Sequence, residues 1–384
     1  TIGQTNQENT AVVKRLRHLT VVPTAGDIII EKNIDVIVDR VKTTEKAFYV
    51  RYIDRATGHI FDIKTDSSLP LQISNTTIPK IYEAIFLPGG NSLIARFLFS
   101  DTSDQIITYY ITLKNKTINA SSTPKTIENN TVAAKEEANK TELKEAVGTY
   151  LESNIKEIAL SPQGKKILSL VYTSEGSRIS LLDTGGAKTR TLLSFSLREW
   201  LLMFSNETKA IVTTKPSGIT NGYAYTLDLA TGSLRKIIGG VAGLTLSPNK
   251  DGNTYLGAGT PNGSVKLFAY FDKEGDTKIL PLNTFPEKCI WKNIEKNSLI
   301  CAVPKSIIKG IYPDDWYKGK ATFTDELWQI DVRTGETQLI SALDTESEQA
   351  IDAVNFQISS DDKYLTFINK KDLTLWGLDL TLKL

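Results

Sequence analysis

Aromatic and acidic side chains crowd one short stretch of this chain. Tyr312, Asp314, Asp315, Trp316 and Tyr317 lie almost side by side. Such a mixture suits stacking on a sugar, anchoring a peptide or holding a basic partner. The alternative is a loop that folds onto the body of the protein, with its aromatics as a local core. Glu199-Trp200 is a second candidate, as the wall of a central pocket. Its plainer reading is Trp200 packed between neighbouring units. The acidic pairs Asp314/Asp315 and Asp325/Glu326 have the residue types of a glycosidase acid and base, but no spacing identifies them as one. Asp272-Lys273-Glu274-Gly275-Asp276 lacks the length and terminal Glu of a calcium loop, so it reads as a turn.

Metal and nucleophile chemistry has few residues to work with. The only histidines are His18 and His59, too few for a His-rich metal site. Cys289 and Cys301 are the only cysteines, and no His accompanies them, so they supply too few ligands for a metal. Each lies six residues from Glu295, so a regular hairpin places them opposite one another. We read them as a disulfide, which suits an oxidising compartment; two buried free thiols are the other possibility. No cofactor and no metal site are expected.

These residues need a scaffold, and one pattern supplies it. An apolar strand ends in Ser or Leu, a tight turn follows, and a second apolar strand begins. The clearest copy is Ile158-Ala159-Leu160-Ser161-Pro162-Gln163-Gly164-Lys165-Lys166-Ile167-Leu168. Pro presets φ and Gly accepts a positive φ, which is hairpin chemistry. Aligned turns start at 43, 87, 161, 205, 247, 292 and 359. Four of the six steps lie between 42 and 45 residues, the size of a four-stranded propeller blade. A second turn recurs later in each unit, as in Asp183-Thr184-Gly185-Gly186, Asp228-Leu229-Ala230-Thr231-Gly232 and Asp331-Val332-Arg333-Thr334-Gly335. It belongs between the third and fourth strands.

The expected fold is therefore all-β: a seven-bladed β-propeller over residues 15–384, after a polar tail at 1–14. The seventh unit stops after its third strand. An N-terminal run, either the one beginning His18-Leu19-Thr20 or Asp27-Ile28-Ile29-Ile30, is expected to complete that blade and close the ring. The Ser-Pro-x-Gly-Lys-Lys and Asp-x-x-Thr-Gly turns resemble those of TolB/PD40-type and WD40-like bacterial propellers. The chain is also similar to an uncharacterised family of secreted bacterial propellers. The resemblance implies a fold and a bacterial, extracytoplasmic setting, and carries no activity.

Two long steps mark insertions, at about 114–153 and 303–324. The first reads as a connector between blades two and three, with either a short surface helix or disorder over 132–147, where helix formers and a Glu136–Lys140 pair occur but the apolar face is thin. The second falls between the second and third strands of blade six. On this reading both project from one face, together with Thr76-Thr77-Ile78-Pro79-Lys80 and Lys215-Pro216-Ser217-Gly218.

Charge is balanced, with 45 Lys and Arg against 44 Asp and Glu, so no global field draws nucleic acid or an anionic membrane. No apolar run is long enough to cross a bilayer as a helix. The chain opens on Thr1, which leaves room for an upstream leader or anchor. The reading is a non-catalytic binding or scaffold protein, secreted or at the cell surface, that holds a protein or polysaccharide partner on the insertion-bearing face. The alternatives are a carbohydrate-active enzyme using loop carboxylates, and a subunit of an envelope or filament assembly.

Overall fold

The computed structural model describes residues 14–382 apart from 39–40, 68, 101 and 116–142. Among these residues the strands form seven four-stranded antiparallel sheets, the blades of a β-propeller. Blade one holds Thr24–Val38, Val41–Asp54, Ile60–Lys64 and Leu71–Ser74. Blade two holds Ile81–Phe86, Ser92–Leu98, Ile106–Asn115 and Lys144–Tyr150. Blade three holds Ile155–Leu160, Lys166–Thr173, Gly176–Asp183 and Thr189–Phe195. Blade four holds Trp200–Phe204, Lys209–Thr214, Asn221–Asp228 and Leu234–Ala242. Blade five holds Thr245–Pro248, Thr254–Gly259, Lys266–Phe271 and Asp276–Ile279. Blade six holds Cys289–Trp291, Ser298–Pro304, Asp325–Asp331 and Thr337–Ser341. Blade seven holds Ala353–Ile358, Tyr364–Asn369 and Leu375–Asp379, completed by Leu16–His18.

The repeated turns do what their residues dictate. Gly164 takes a φ of 69°, and the Ser161 hydroxyl accepts the amides of Lys165 and Lys166. Asp228 caps its turn by accepting the amides of Ala230 and Thr231, and Asp331 does the same for Arg333 and Thr334. The second strands are buried on both faces, as in Thr254–Gly259 and Tyr364–Asn369, because each blade is sandwiched between two others. Apolar clusters consequently lie between blades, not within them. First strands touch around the axis, and at Gly26 they do so closely: a Cβ there would lie 2.0 Å from the Ala84 carbonyl oxygen.

Closure by an N-terminal strand is as expected, but the strand is Leu16–His18, paired from Leu16↔Leu378 to His18↔Trp376. The run at 27–30 instead belongs to the first strand of blade one. The first hairpin of blade one reverses between Val38 and Val41, not at the turn expected at 43, where Thr43 lies within the strand and pairs with Val36. Its β-prone strands continue to Val38↔Val41, past the last pairing with the third strand at Tyr49↔Lys64.

One expectation is overturned. Lys144–Tyr150 pairs along its length with Ile106–Asn115, so the first insertion lies inside blade two, between its third and fourth strands. It is not a blade connector. Residues 144–147 are strand because an open sheet edge outweighs the helix propensity of Lys, Glu and Ala. The rest of the expected helix, 132–142, lies outside the described residues. Antiparallel alternation sends second-to-third-strand loops and blade connectors to one face, here called upper, and the remaining turns to the other. Residues 303–324 are therefore on the upper face, whereas the described ends of the first insertion, Asn115 and Lys144, pair at the lower end of blade two, so the two do not leave from one face.

The seam between blades seven and one holds a buried carboxyl. Thr366 Oγ1 donates to Asp27 at 2.6 Å, and burial pushes Asp27 up to about 7 against the pull of that bond. A carboxyl raised in the folded state stabilises the fold fully below about pH 4 and loses that contribution as pH rises toward 7. Its share is on the order of 4 kcal/mol. Asp27→Asn is expected to flatten this part of the curve, read as urea unfolding free energy from pH 4 to 8. An unchanged slope would remove Asp27 from the account.

Candidate functional site

The aromatic–acidic loop folds onto the upper mouth of the ring. Tyr312 and Trp316 are each only 2% exposed, and they pack with Phe285 and Phe323; Phe285 and Trp316 stack at 5.2 Å. Asp314 opens the short helix Asp314–Tyr317 and accepts hydrogen bonds from Ser217 Oγ and the Gly218 amide of blade four. Gly218 has to lack a side chain, since a Cβ would sit 2.4 Å from the Tyr312 carbonyl oxygen. Asp315 accepts from the Ile311 amide. Tyr317 remains partly exposed and donates its hydroxyl to Glu287.

Beneath the loop is a buried charge cluster. Lys288 Nζ donates to Asp325 at 2.8 Å, to Asp352 at 2.5 Å and to the Ala353 carbonyl at 3.1 Å, and all three charged residues are 0% exposed. Asp352 also accepts from Trp316 Nε1 and the Phe323 amide. Asp325 accepts the Ala353 amide at 2.7 Å; burial raises it to about 6, opposed chiefly by Lys288. Asp325 and Asp314 are thus committed to holding the loop. Trp200 packs against Phe195 at 4.5 Å and donates to the Leu197 carbonyl, while Glu199 pairs with Lys215 at 2.6 Å on the mouth. Cys289 and Cys301 stand opposite each other in the first two strands of blade six and form a disulfide.

Three further carboxylates reach the mouth. Glu83 and Glu157 occupy the same position in the first strands of blades two and three, each just after a bulge. Arg96 pairs with Glu83 and donates to the carbonyls of Ile155 and Lys156. Burial raises Glu157 to about 7; Arg96 opposes that shift and Glu83 reinforces it. Burial likewise raises Glu287, whose second oxygen has no hydrogen-bond partner among the described residues.

A wide groove lies elsewhere on the same face. A groove of about 940 Å³ runs between blades one and two, from Tyr82 near the axis to Tyr150 at the rim. Phe97, Leu98, Phe99 and Tyr109 line it, with Arg55 and Lys80. Phe99 is 67% exposed and Tyr150 73%, unusual values for large apolar side chains. Sequence reading missed this groove because its walls come from six separated segments. One signal was present: the apolar run Phe97-Leu98-Phe99 continues past the end of its strand into a loop.

No family model matches this chain, and no curated protein matches it in sequence. Solved structures do match in fold. An oligogalacturonate lyase from Vibrio parahaemolyticus is 7% identical with a TM-score of 0.54, over 92% of this chain and 97% of that one. An oligogalacturonate lyase in complex with manganese is 8% identical with a TM-score of 0.51, over 93% and 98%. TolB from Acinetobacter baumannii is 10% identical with a TM-score of 0.45, over 91% and 79%. At such identities the likeness to the two lyases is one of fold alone.

Removing the central cation should expose the cost of the buried cluster. Lys288→Met leaves two enclosed carboxyls facing each other and is expected to cost about 3–5 kcal/mol in guanidinium unfolding. The triple variant Lys288→Met/Asp325→Asn/Asp352→Asn should recover at least half of that. A loss below about 1 kcal/mol for the single variant would contradict the reading.

Proposed function

We propose that this protein is a non-catalytic binding module that holds a protein or polysaccharide partner on its upper face, outside the cytoplasm. The observation that carries the reading is the groove between blades one and two. Exposed Phe99 and Tyr150 present apolar area that a lone monomer gains nothing by exposing, and rigid aromatics are efficient anchors. The loop at 303–324 supports it indirectly. Its aromatics are spent on packing, so it builds a firm rim and leaves the groove as the open surface. The disulfide suits an oxidising compartment, which supports the extracytoplasmic setting.

An enzymatic reading keeps one specific support. Glu157, raised to about 7 beside the Glu83–Arg96 pair, has the character of a general acid. Such chemistry would sit at the mouth, since Asp314 and Asp325 of the loop are occupied.

The test compares wild type with Phe99→Ala/Tyr150→Ala on glycan and peptide arrays. Both positions are exposed, so the melting temperature should stay within a few degrees. Binding to one ligand class is expected for wild type, with at least a tenfold loss in the double variant. Binding that ignores the substitutions would sink the proposal. Turnover of an array glycan, abolished by Glu157→Gln, would replace it with the enzyme.

A further inference from the structure

A separate cavity of about 220 Å³ opens on the central channel, where blades seven, one and two meet. Asp27 of blade one, Glu83 of blade two, and Asn355 and Gln357 of blade seven line it with polar groups. We infer that this cavity binds a small primary amine, with the ammonium group on the Asp27 carboxylate and the alkyl chain along the apolar wall. The site is distinct from the groove between blades one and two and does not depend on it.

Asp27 is the anchor. It is only 7% exposed. Its Oδ2 accepts from Thr366. Its Oδ1 has no hydrogen-bond partner among the described residues and is not sealed off, so it faces the cavity. No ion pair among the described residues offsets its charge. A carboxylate enclosed in protein is costly unless a cation or enough donors meet it. Thr366 alone does not meet that need, since burial holds the carboxyl up at about 7 against the pull of its bond. Above that pH the cavity presents a negative charge without a counter-charge.

The neighbouring groups suit an ammonium, which has three N–H donors and accepts nothing. Neither the Asn355 nor the Gln357 carboxamide has a hydrogen-bond partner among the described residues, so both oxygens are free to accept. They sit at a bulge between Val354 and Gln357, where Asn355 takes a φ of 54°. Glu83 follows the matching bulge of blade two; Arg96 takes one of its oxygens and leaves the other. At the matching place in blade one stands Gly26, with no side chain to fill the space.

Size and walls favour an alkylamine over a bare ion. The volume is about that of seven waters in the liquid, room for a ligand of several non-hydrogen atoms. A metal ion instead needs a tight shell of oxygens at about 2.0–2.6 Å. Ala25, Ile28, Ile85, Phe86 and Ile368 supply an apolar wall that a short alkyl chain can cover.

Isothermal titration of the full chain with n-butylammonium chloride tests the assignment. Saturable binding is expected at pH 8, and at least tenfold weaker binding at pH 5.5, because a proton on Asp27 competes with the ammonium. The charged groups facing the cavity are Asp27 and Glu83, with Arg96 behind Glu83, while blade seven faces it with neutral Asn355 and Gln357. Asp27→Asn keeps an acceptor for Thr366; it should bind at least tenfold more weakly at pH 8 and lose the pH dependence. Gln357→Leu should weaken binding about threefold. The wild type gives a second reading without any substitution. At pH 7 binding should release protons, so the measured heat should differ between phosphate and Tris buffers. Butan-1-ol, of similar shape and uncharged, should not bind. Absence of saturable heat, equal affinity for butan-1-ol, or no proton release overturns the proposal. So does pH dependence that survives Asp27→Asn, which would move the charge partner to Glu83. Displacement of the amine by an equal concentration of calcium or potassium chloride also overturns it, by assigning the cavity to an inorganic cation.

Discussion

Ring closure is the constraint on which the rest of this structure depends. Seven wedge-shaped sheets bury their faces only if each has two neighbours, and the last gap is sealed by three residues, Leu16–His18. The seal is reinforced by contacts between chain ends more than 300 residues apart. Arg15 forms two hydrogen bonds to Glu346, Arg17 donates to Tyr364, and His18 stacks on Trp376 at 4.4 Å. A closed ring has no free inner edge, so the first strands can bring their side chains to one axis. That convergence places Glu83, Glu157 and Glu287 at one mouth although they lie far apart in sequence.

The buried Lys288 cluster shows how the upper face is kept firm. Two carboxylates and an ammonium without water contribute little net stability compared with an apolar core, but they tolerate only one arrangement. Here that arrangement ties the start of blade six to blade seven and, through Asp352 and Trp316, to the loop at 303–324. Asp314 carries the same loop to blade four. The insertion is therefore a strut across the mouth. Specific polar bonds fix its position, and aromatic packing supplies its stability.

The two faces have been elaborated differently. The upper face holds the strut, the charged mouth and the aromatic groove. The lower face carries the long hairpin of blade one, and it binds its own charges locally, as in Arg51 with Asp62 and Lys32 with Asp62. The groove survives because it lies across the ring from the strut, between two blades whose upper loops are short.

The period of the turns, the unit count and the closure of the ring were all legible in the sequence, because turn chemistry and strand alternation are local and each blade repeats them. The cross-strand cysteines were legible for the same reason: a hairpin's register follows from its turn. What failed was local reading of chain that tertiary pairing controls. Residues 144–147 have helix formers yet complete a sheet, and this single pairing puts the described ends of an insertion at the opposite face. The loop aromatics look like binding residues in sequence, but burial decided that Tyr312 and Trp316 are core. The groove could not be read at all, since its rings are brought together by the stacking of two blades. Sequence determined the repeating unit, because hydrogen-bonded turns act over a few residues; the tertiary structure alone decided which side chains face solvent, because burial depends on neighbours distant along the chain.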